Sequence, residues 1–149
     1  MNTVILFCPE DGRSPLFPRR THTTNTKSHG VRPRILVVDD EPLIADTVVE
    51  ILNGNGFEAV GAYSAAEAIE VAESLRPDVL LSDVLMPRMT GIELAISIRG
   101  SLPETRIFLF SGQAATAQLM REAEASGYRF ELFPKPIHPD ELLAKLKQV

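Results

Sequence analysis

The stretch Val79-Leu80-Leu81-Ser82-Asp83-Val84-Leu85-Met86-Pro87 restricts the possible folds more than any other part of the chain. Four apolar or small residues without polar alternation read as a strand covered on both faces, the pattern of a parallel sheet. Asp83 closes that run. Pro87 cannot continue a central strand and Gly91 supports a turn before the next helix, so the carboxylate stands at a strand-to-loop exit, where α/β sheets place their chemistry. Taken alone, Asp83 reads equally well as an acid that merely ends a strand, and its partners along the chain decide between the two.

Two further runs end in the same way. Arg34-Ile35-Leu36-Val37-Val38 is apolar and β-branched and stops at Asp39-Asp40-Glu41. Three adjacent carboxylates repel one another and persist in a partly buried rim only with solvent, a cation or proton uptake, so a metal site is a physical candidate there. Arg106-Ile107-Phe108-Leu109-Phe110-Ser111-Gly112 is a buried strand that ends in a hydroxyl and a glycine.

Helical periodicity fills the intervals. Pro42 suits a first turn, and Ile44, Val48, Ile51 and Leu52 recur at helical spacing until Gly54 and Gly56. Phe57 to Tyr63 reads as a short strand. Ser64-Ala65-Ala66-Glu67 matches a capping box, and Ala68, Ile69, Ala72 and Leu75 form one helical face up to Arg76-Pro77. Ile92, Leu94, Ala95 and Ile98 predict a helix closed by Gly100, and the alanine-rich span from Gln113 to Ala125 predicts another. Phe130 to Phe133 gives a last strand and Pro139 to Lys147 a last helix. Five strands alternate with five helices over connections long enough for crossovers, so the expected class is α/β, a doubly wound parallel sheet with helices on both faces. Strand order is not readable from periodicity.

Composition separates the two parts of the chain. Residues 1–33 carry four prolines, many Ser, Thr and Asn, and no sustained period, which predicts a disordered tail ahead of a domain over 34–149. The tail has five Lys/Arg against two Asp/Glu, whereas from Arg34 onward ten face eighteen. An acidic domain argues against direct nucleic-acid binding. The lone Cys8 excludes an internal disulfide or a Cys-rich zinc cluster, and no export signal or membrane-length apolar run is present, so a cytoplasmic location without membrane insertion is expected.

Collected from the strand ends, the candidate set is Asp39, Asp40, Asp83, Ser111 and Lys135, the last followed by Pro136. An acidic pocket with one hydroxyl and one ammonium suits Mg²⁺ and a phosphoryl group. At these residues, over Arg34 to Val149, the chain resembles the receiver domain of two-component response regulators. The resemblance rests on the paired acid after the first strand, the Asp-x-x-Met-Pro-x-x-x-Gly segment from Asp83 to Gly91, the Ser-Gly after the fourth strand and the Lys-Pro after the fifth.

The resemblance implies a flavodoxin-like sheet of order 2-1-3-4-5. It implies that Asp83 is the nucleophile and phosphorylation site, taking a phosphoryl group from a phosphohistidine on a sensor histidine kinase or a histidine phosphotransfer protein. Asp39, Asp40, Asp83 and the Leu85 carbonyl would hold Mg²⁺, because an ionised carboxylate attacks a dianion poorly unless a divalent cation offsets the repulsion. Lys135 would pair with Asp83 and the phosphoryl oxygens beside a cis Lys135–Pro136 bond. The Ser111 hydroxyl would bond the new phosphoryl oxygen and report phosphorylation to the face made by the fourth helix, fifth strand and fifth helix. Each residue has a plainer reading: a solvated acidic turn for Asp39 and Asp40, a surface lysine for Lys135, a helix cap for Ser111.

Several positions depart from the family pattern. Leu132 stands where many members have Tyr or Phe, and Phe130 or Phe133 is a substitute only if not taken up in the core. The span from Ser111 to Lys135 is about two residues longer than usual and contains Gly127-Tyr128-Arg129-Phe130. Pro134, lacking a donor, is expected to disturb the ladder end. Leu85 is apolar where relatives often have a polar group or Met, and is expected to restrict hydrolytic water. His138 reads as a turn residue beside Pro139.

No further domain follows the last helix in this sequence, so a single-domain regulator acting on an unknown protein target is expected, one that is not an enzyme beyond promoting its own phosphorylation and dephosphorylation. The alternatives are a phosphate shuttle or sink for a histidine phosphotransfer protein, and an unphosphorylated scaffold. An Asp-nucleophile phosphohydrolase would need an Asp-x-Asp motif and a substrate cap, and the sequence has neither.

Overall fold

The computed structural model of the chain describes residues 30–112 and 114–149. Strands and helices alternate as β1 (Arg34–Val38), α1 (Pro42–Asn53), β2 (Glu58–Ala62), α2 (Ala65–Leu75), β3 (Val79–Asp83), α3 (Gly91–Ser101), β4 (Arg106–Ser111), α4 (Ala114–Ala125), β5 (Glu131–Pro134) and α5 (Pro139–Leu146). The expected tail over 1–33 lies, up to residue 29, outside the described residues. All pairings are parallel, in the order β2-β1-β3-β4-β5. From β1 the chain goes to one side for β2 and to the other for β3, so the crevice between β1 and β3 is the switch point at which such sheets place their ligands.

The apolar runs are explained by what covers them. Ile35 and Val37 of β1, Val79 and Leu81 of β3, and Phe108 and Phe110 of β4 face Ala45, Val48 and Leu52 of α1 and Leu142 and Leu146 of α5. The intervening Leu36, Val38, Leu80, Ile107 and Leu109 face α2, α3 and α4 through Ala68, Ala72, Leu94, Ala95, Ile98, Met120 and Ala123. A strand between two such layers needs no polar alternation, and each fully buried Leu, Ile, Val or Phe contributes about 1.5–3 kcal/mol.

Some boundaries differ from expectation. Gly100 does not close α3, which runs through it to Ser101 and ends where Leu102 precedes Pro103. A single helical glycine costs only about 1 kcal/mol relative to alanine, whereas the residue before a proline is driven out of the helical region. α2 is capped by Ser64, whose side chain accepts from the Glu67 N–H, but Glu67 in return accepts from Tyr63 N–H rather than from Ser64. The complete capping box belongs to α3, between Thr90 and Glu93. Pro134 does not disturb the ladder: it is the last residue of β5, paired with Ser111, and the next N–H, from Lys135, donates to the Ser111 carbonyl at 2.9 Å. On an edge strand the missing donor faces away from the sheet.

Among the described residues no helix is long and apolar enough to cross a membrane.

Candidate functional site

Register delivers the acids. Val38 is the partner of Ser82, so Asp39, just past β1, and Asp83, the last residue of β3, emerge side by side at the switch point. Asp39 is 3% exposed and Asp83 9%, while Asp40 is open to solvent. One carboxylate oxygen from each of the three lies within 4.8 Å of the others. Asp39 is further held by its own turn, its Oδ1 accepting from the Glu41 N–H at 2.9 Å. Burial pushes the Asp39 carboxyl above its ordinary range, and the Asp83 and Asp40 charges add to this; the Glu41 N–H and the Lys135 ammonium oppose it.

Lys135 arrives from the loop after β5. Its Nζ stands 3.2 Å from Asp83 Oδ2 and 3.9 Å from Asp39 Oδ2. The Lys135–Pro136 peptide bond is cis. Room for the lysine stem depends on Gly112, where a Cβ would come within 3.1 Å of Lys135 Cβ. Ser111 ends β4, half-buried, in the same cavity of about 320 Å³ as Asp40, Asp83, Leu85 and Lys135.

The loop from β3 to α3 is shaped around the Asp83 backbone. Leu85 N–H points at Asp83 Oδ1 across 3.4 Å, and the loop closes where Gly91 N–H donates to the Val84 carbonyl at 2.8 Å. Gly91 is the first residue of α3, and a Cβ there would run into the Asp83 carbonyl oxygen and lie 2.8 Å from the Asp83 carbonyl carbon and 3.0 Å from Val84 Cα. The glycine is therefore required by close approach of α3 to the Asp83 backbone. Arg88, at φ 71°, takes the left-handed conformation that this tight return requires of it.

The clustered donors are all oxygen, three carboxylates, and Leu85 lines the cavity beside Asp40 and Asp83. Hard oxygen ligands with a mutually repelling charge suit Mg²⁺ rather than a thiophilic metal, and the exposed Asp40 leaves a side open for water or a phosphoryl oxygen. The sequence-derived residues Asp39, Asp40, Asp83, Leu85, Ser111 and Lys135 are thus brought together at one end of the sheet. Gly112, quoted from the sequence only as the second half of the Ser-Gly motif, supplies the space for Lys135, and Thr116 of α4, which has no such signal in the sequence, lines the same cavity.

The remaining departures sort by face. Phe133 packs its ring 5.3 Å from Phe108 and 5.7 Å from Phe110 in the layer of α1 and α5, so it is core and lies across the sheet from the α4 side. Phe130 stacks on Tyr128 at 6.3 Å with the Arg99 guanidinium 4.9 Å over its ring. Leu132, paired with Leu109 in β4, is 47% exposed. His138 is not in a turn: it precedes α5 as its N-cap residue, in extended conformation and without a side-chain capping bond.

Residues 35–147 match the family model of the response regulator receiver domain. The response regulator MprA of Mycobacterium tuberculosis is 32% identical over 114 residues, which cover 76% of this chain and 49% of that protein. The chain therefore spans about half the length of the curated relatives it matches. Among solved structures, a CheY-like response regulator receiver domain protein from Methanospirillum hungatei is similar with TM-score 0.71 and 29% identity, over 79% of this chain and 93% of that one. The signal receiver domain of a signal transduction histidine kinase from Syntrophus aciditrophicus is similar with TM-score 0.68 and 27% identity, over 78% and 88%.

Proposed function

The chain belongs to the receiver-domain family of two-component response regulators, and from that premise we propose that Asp83 accepts a phosphoryl group, with Mg²⁺, from a phosphohistidine of a sensor histidine kinase or histidine phosphotransfer protein. The observation that carries this is the placement of the Lys135 ammonium 3.2 Å from an Asp83 oxygen inside a three-carboxylate cluster. A divalent cation held by Asp40, Asp39, Asp83 and the Leu85 carbonyl would offset the repulsion between the carboxylate and the incoming phosphoryl oxygens.

An Asp83 oxygen forms the new O–P bond as the P–N bond breaks. The bonding pair stays with the imidazole, which leaves neutral when its other ring nitrogen carries a proton. Lys135, ion-paired with Asp83 beforehand, turns to the phosphoryl oxygens, and the Ser111 hydroxyl donates to one of them. Leu85 covers the approach to the phosphorus, so hydrolysis by water is slow.

The partner has a surface to meet. An apolar groove of about 460 Å³ runs between α1 and the β5–α5 connection, lined by Leu43, Ile44, Ile51, Pro136 and Ile137, and shares Lys135 with the acidic cavity. A helix carrying the phosphohistidine and seated there would bring its imidazole to Asp83. The phosphorylated form then acts by contact with another protein, as a switch or as a shuttle that returns phosphate to a phosphotransfer protein. Chase of the phosphoryl group onto an added phosphotransfer domain separates these two outcomes.

Intact-mass measurement after incubation with Mg²⁺ and a small phosphodonor tests the proposal. One phosphoryl adduct is expected, absent without Mg²⁺ and absent in Asp83→Asn. A scaffold that is never phosphorylated is the reading favoured by the non-aromatic, half-exposed Leu132, and a folded, Mg²⁺-binding chain without an adduct would select it.

A further inference from the structure

One wall of the acidic cavity has no part in the reaction as derived above. Thr116, the third residue of α4, lines that cavity together with Asp83, Ser111 and Lys135. It is 1% exposed, and its Oγ1 is sealed from solvent with no hydrogen-bond partner among the described residues. A buried hydroxyl without a partner forfeits the bonds that water gave it in the unfolded chain.

The other buried hydroxyls among the described residues are not left in that state. Helical Ser and Thr ordinarily return the hydroxyl to a carbonyl three or four residues back. Thr47 does so to Leu43 at 2.6 Å, Ser101 to Ser97 at 3.1 Å and Ser126 to Glu122 at 3.1 Å. Thr105, also buried, donates to the Pro77 carbonyl at 2.7 Å. Thr116 is the exception, and it is the one that borders the acids. It also sits in the first turn of a 12-residue helix, where unpaired N–H groups and the helix dipole favour a neighbouring anion.

We propose that Thr116 is a second hydroxyl donor to the phosphoryl group on Asp83, unsatisfied before phosphorylation so that the modification draws the first turn of α4 onto the site. This rests on Asp83 being the phosphoacceptor. A phosphoryl group has three terminal oxygens with lone pairs to spare, and Ser111, Thr116 and Lys135 bring one donor side chain each from β4, α4 and the loop after β5. Two hydroxyls on different elements would make α4 itself respond to phosphorylation, with no aromatic residue needed at position 132.

The test uses the full chain with Thr116→Val, which keeps the branched shape and removes the hydroxyl, and Thr116→Ser, which keeps the hydroxyl. Beryllofluoride with Mg²⁺ is the probe, as a stable mimic of the phosphoryl group on a carboxylate. Without the probe, Thr116→Val is expected to unfold at the same temperature as the native chain or higher, since it loses an unpaired hydroxyl. With the probe, its affinity is expected to fall about tenfold and its thermal stabilisation to shrink accordingly, while Thr116→Ser stays close to native. Equal beryllofluoride affinity in Thr116→Val would overturn the proposal. So would a lower unfolding temperature for Thr116→Val without the probe, which would reveal a structural partner for the hydroxyl. If the native chain and both variants alike bind no beryllofluoride and form no adduct, the phosphoacceptor reading itself falls, and this inference with it.

Discussion

The two flanks of the site are built differently. On the β1–β3 flank the acids leave central strands sealed by helices on both faces, and the connecting loop is fixed to the Asp83 backbone through Gly91. On the β4–β5 flank the hydroxyl comes from the end of β4, an inner strand as buried as the first two, but the ammonium comes from the loop after β5, an edge strand whose residues alternate between half-buried and exposed. The acids are thus tied to core strands alone, whereas the second flank joins one core strand to a half-exposed edge strand and the loop that carries Lys135. Under the proposed function, the group that attacks phosphorus in line stands on the first, and the lysine that follows a new charge stands on the second.

Glycine substitutions test that contrast most severely. Gly91→Ala places a methyl against backbone atoms of Asp83 and Val84, and is expected to cost on the order of 3 kcal/mol in chemical denaturation and to abolish Mg²⁺ binding. Gly112→Ala meets only the Lys135 side chain at 3.1 Å, so about 1 kcal/mol or less is expected, with phosphorylation slowed by displacement of the ammonium. Comparable losses in the two would erase the distinction between the flanks.

The β1–β3 flank also carries a stability cost. Burial holds the Asp39 carboxyl above its ordinary value of 3.8, so its ionised form destabilises the fold at neutral pH. That penalty is fully present above the raised folded-state value and disappears as pH falls toward the unfolded one. In a chelator at pH 7, Asp39→Asn is expected to be more stable than the native chain by roughly 1 kcal/mol, with the gap closing on acidification. Binding of Mg²⁺ should be weakened in the same variant. An Asp39→Asn chain less stable at pH 7 would mean that the ion pair outweighs burial.

Much of this was legible in the sequence, for a physical reason. Strands covered on both faces lose their polar alternation, so Ile35–Val38, Val79–Ser82 and Ile107–Phe110 declare themselves and the residues that end them. What depends on close approach between elements was not legible. Gly91 read as a turn residue ahead of a helix, whereas it is the first residue of α3, placed there because the helix starts against the Asp83 carbonyl. The Thr90 and Glu93 capping box had the same spacing as the one read at Ser64, but the adjacent glycine obscured it. Thr116 is a lone hydroxyl in an alanine-rich helix, and only the seating of α4 at the sheet end gives it meaning. Gly100 predicts a stop that α3 runs past, because helix propensity is weak against the packing of Ile98 and Leu94.

Two smaller effects sharpen the account. Leu85→Asn is expected to shorten the lifetime of the phosphorylated form severalfold in a mass-spectrometric time course, since a polar side chain admits and orients water; an unchanged lifetime would remove Leu85 from any shielding role. Glu131, on the edge strand, accepts from Arg106 Nη2 at 2.8 Å and lies 3.5 Å from Lys145 Nζ, and the Arg106 hydrogen bond holds its carboxyl below the ordinary 4.5. Its contribution is present above that value and is lost as pH falls through the lower folded-state one. The groups are substantially exposed, so Glu131→Gln is expected to cost less than about 1 kcal/mol at pH 7 and nothing in strong acid. A larger loss would mean that the edge flank is more rigid than its exposure implies.

The central claim is that the two flanks converge on one phosphoacceptor. Its most direct test is the intact mass of the native chain and of Asp83→Asn after exposure to a small phosphodonor, with and without Mg²⁺. A single phosphoryl adduct is expected only on the native chain and only with Mg²⁺. An adduct of equal yield on Asp83→Asn, or none on a native chain shown to be folded and to bind Mg²⁺, would contradict it.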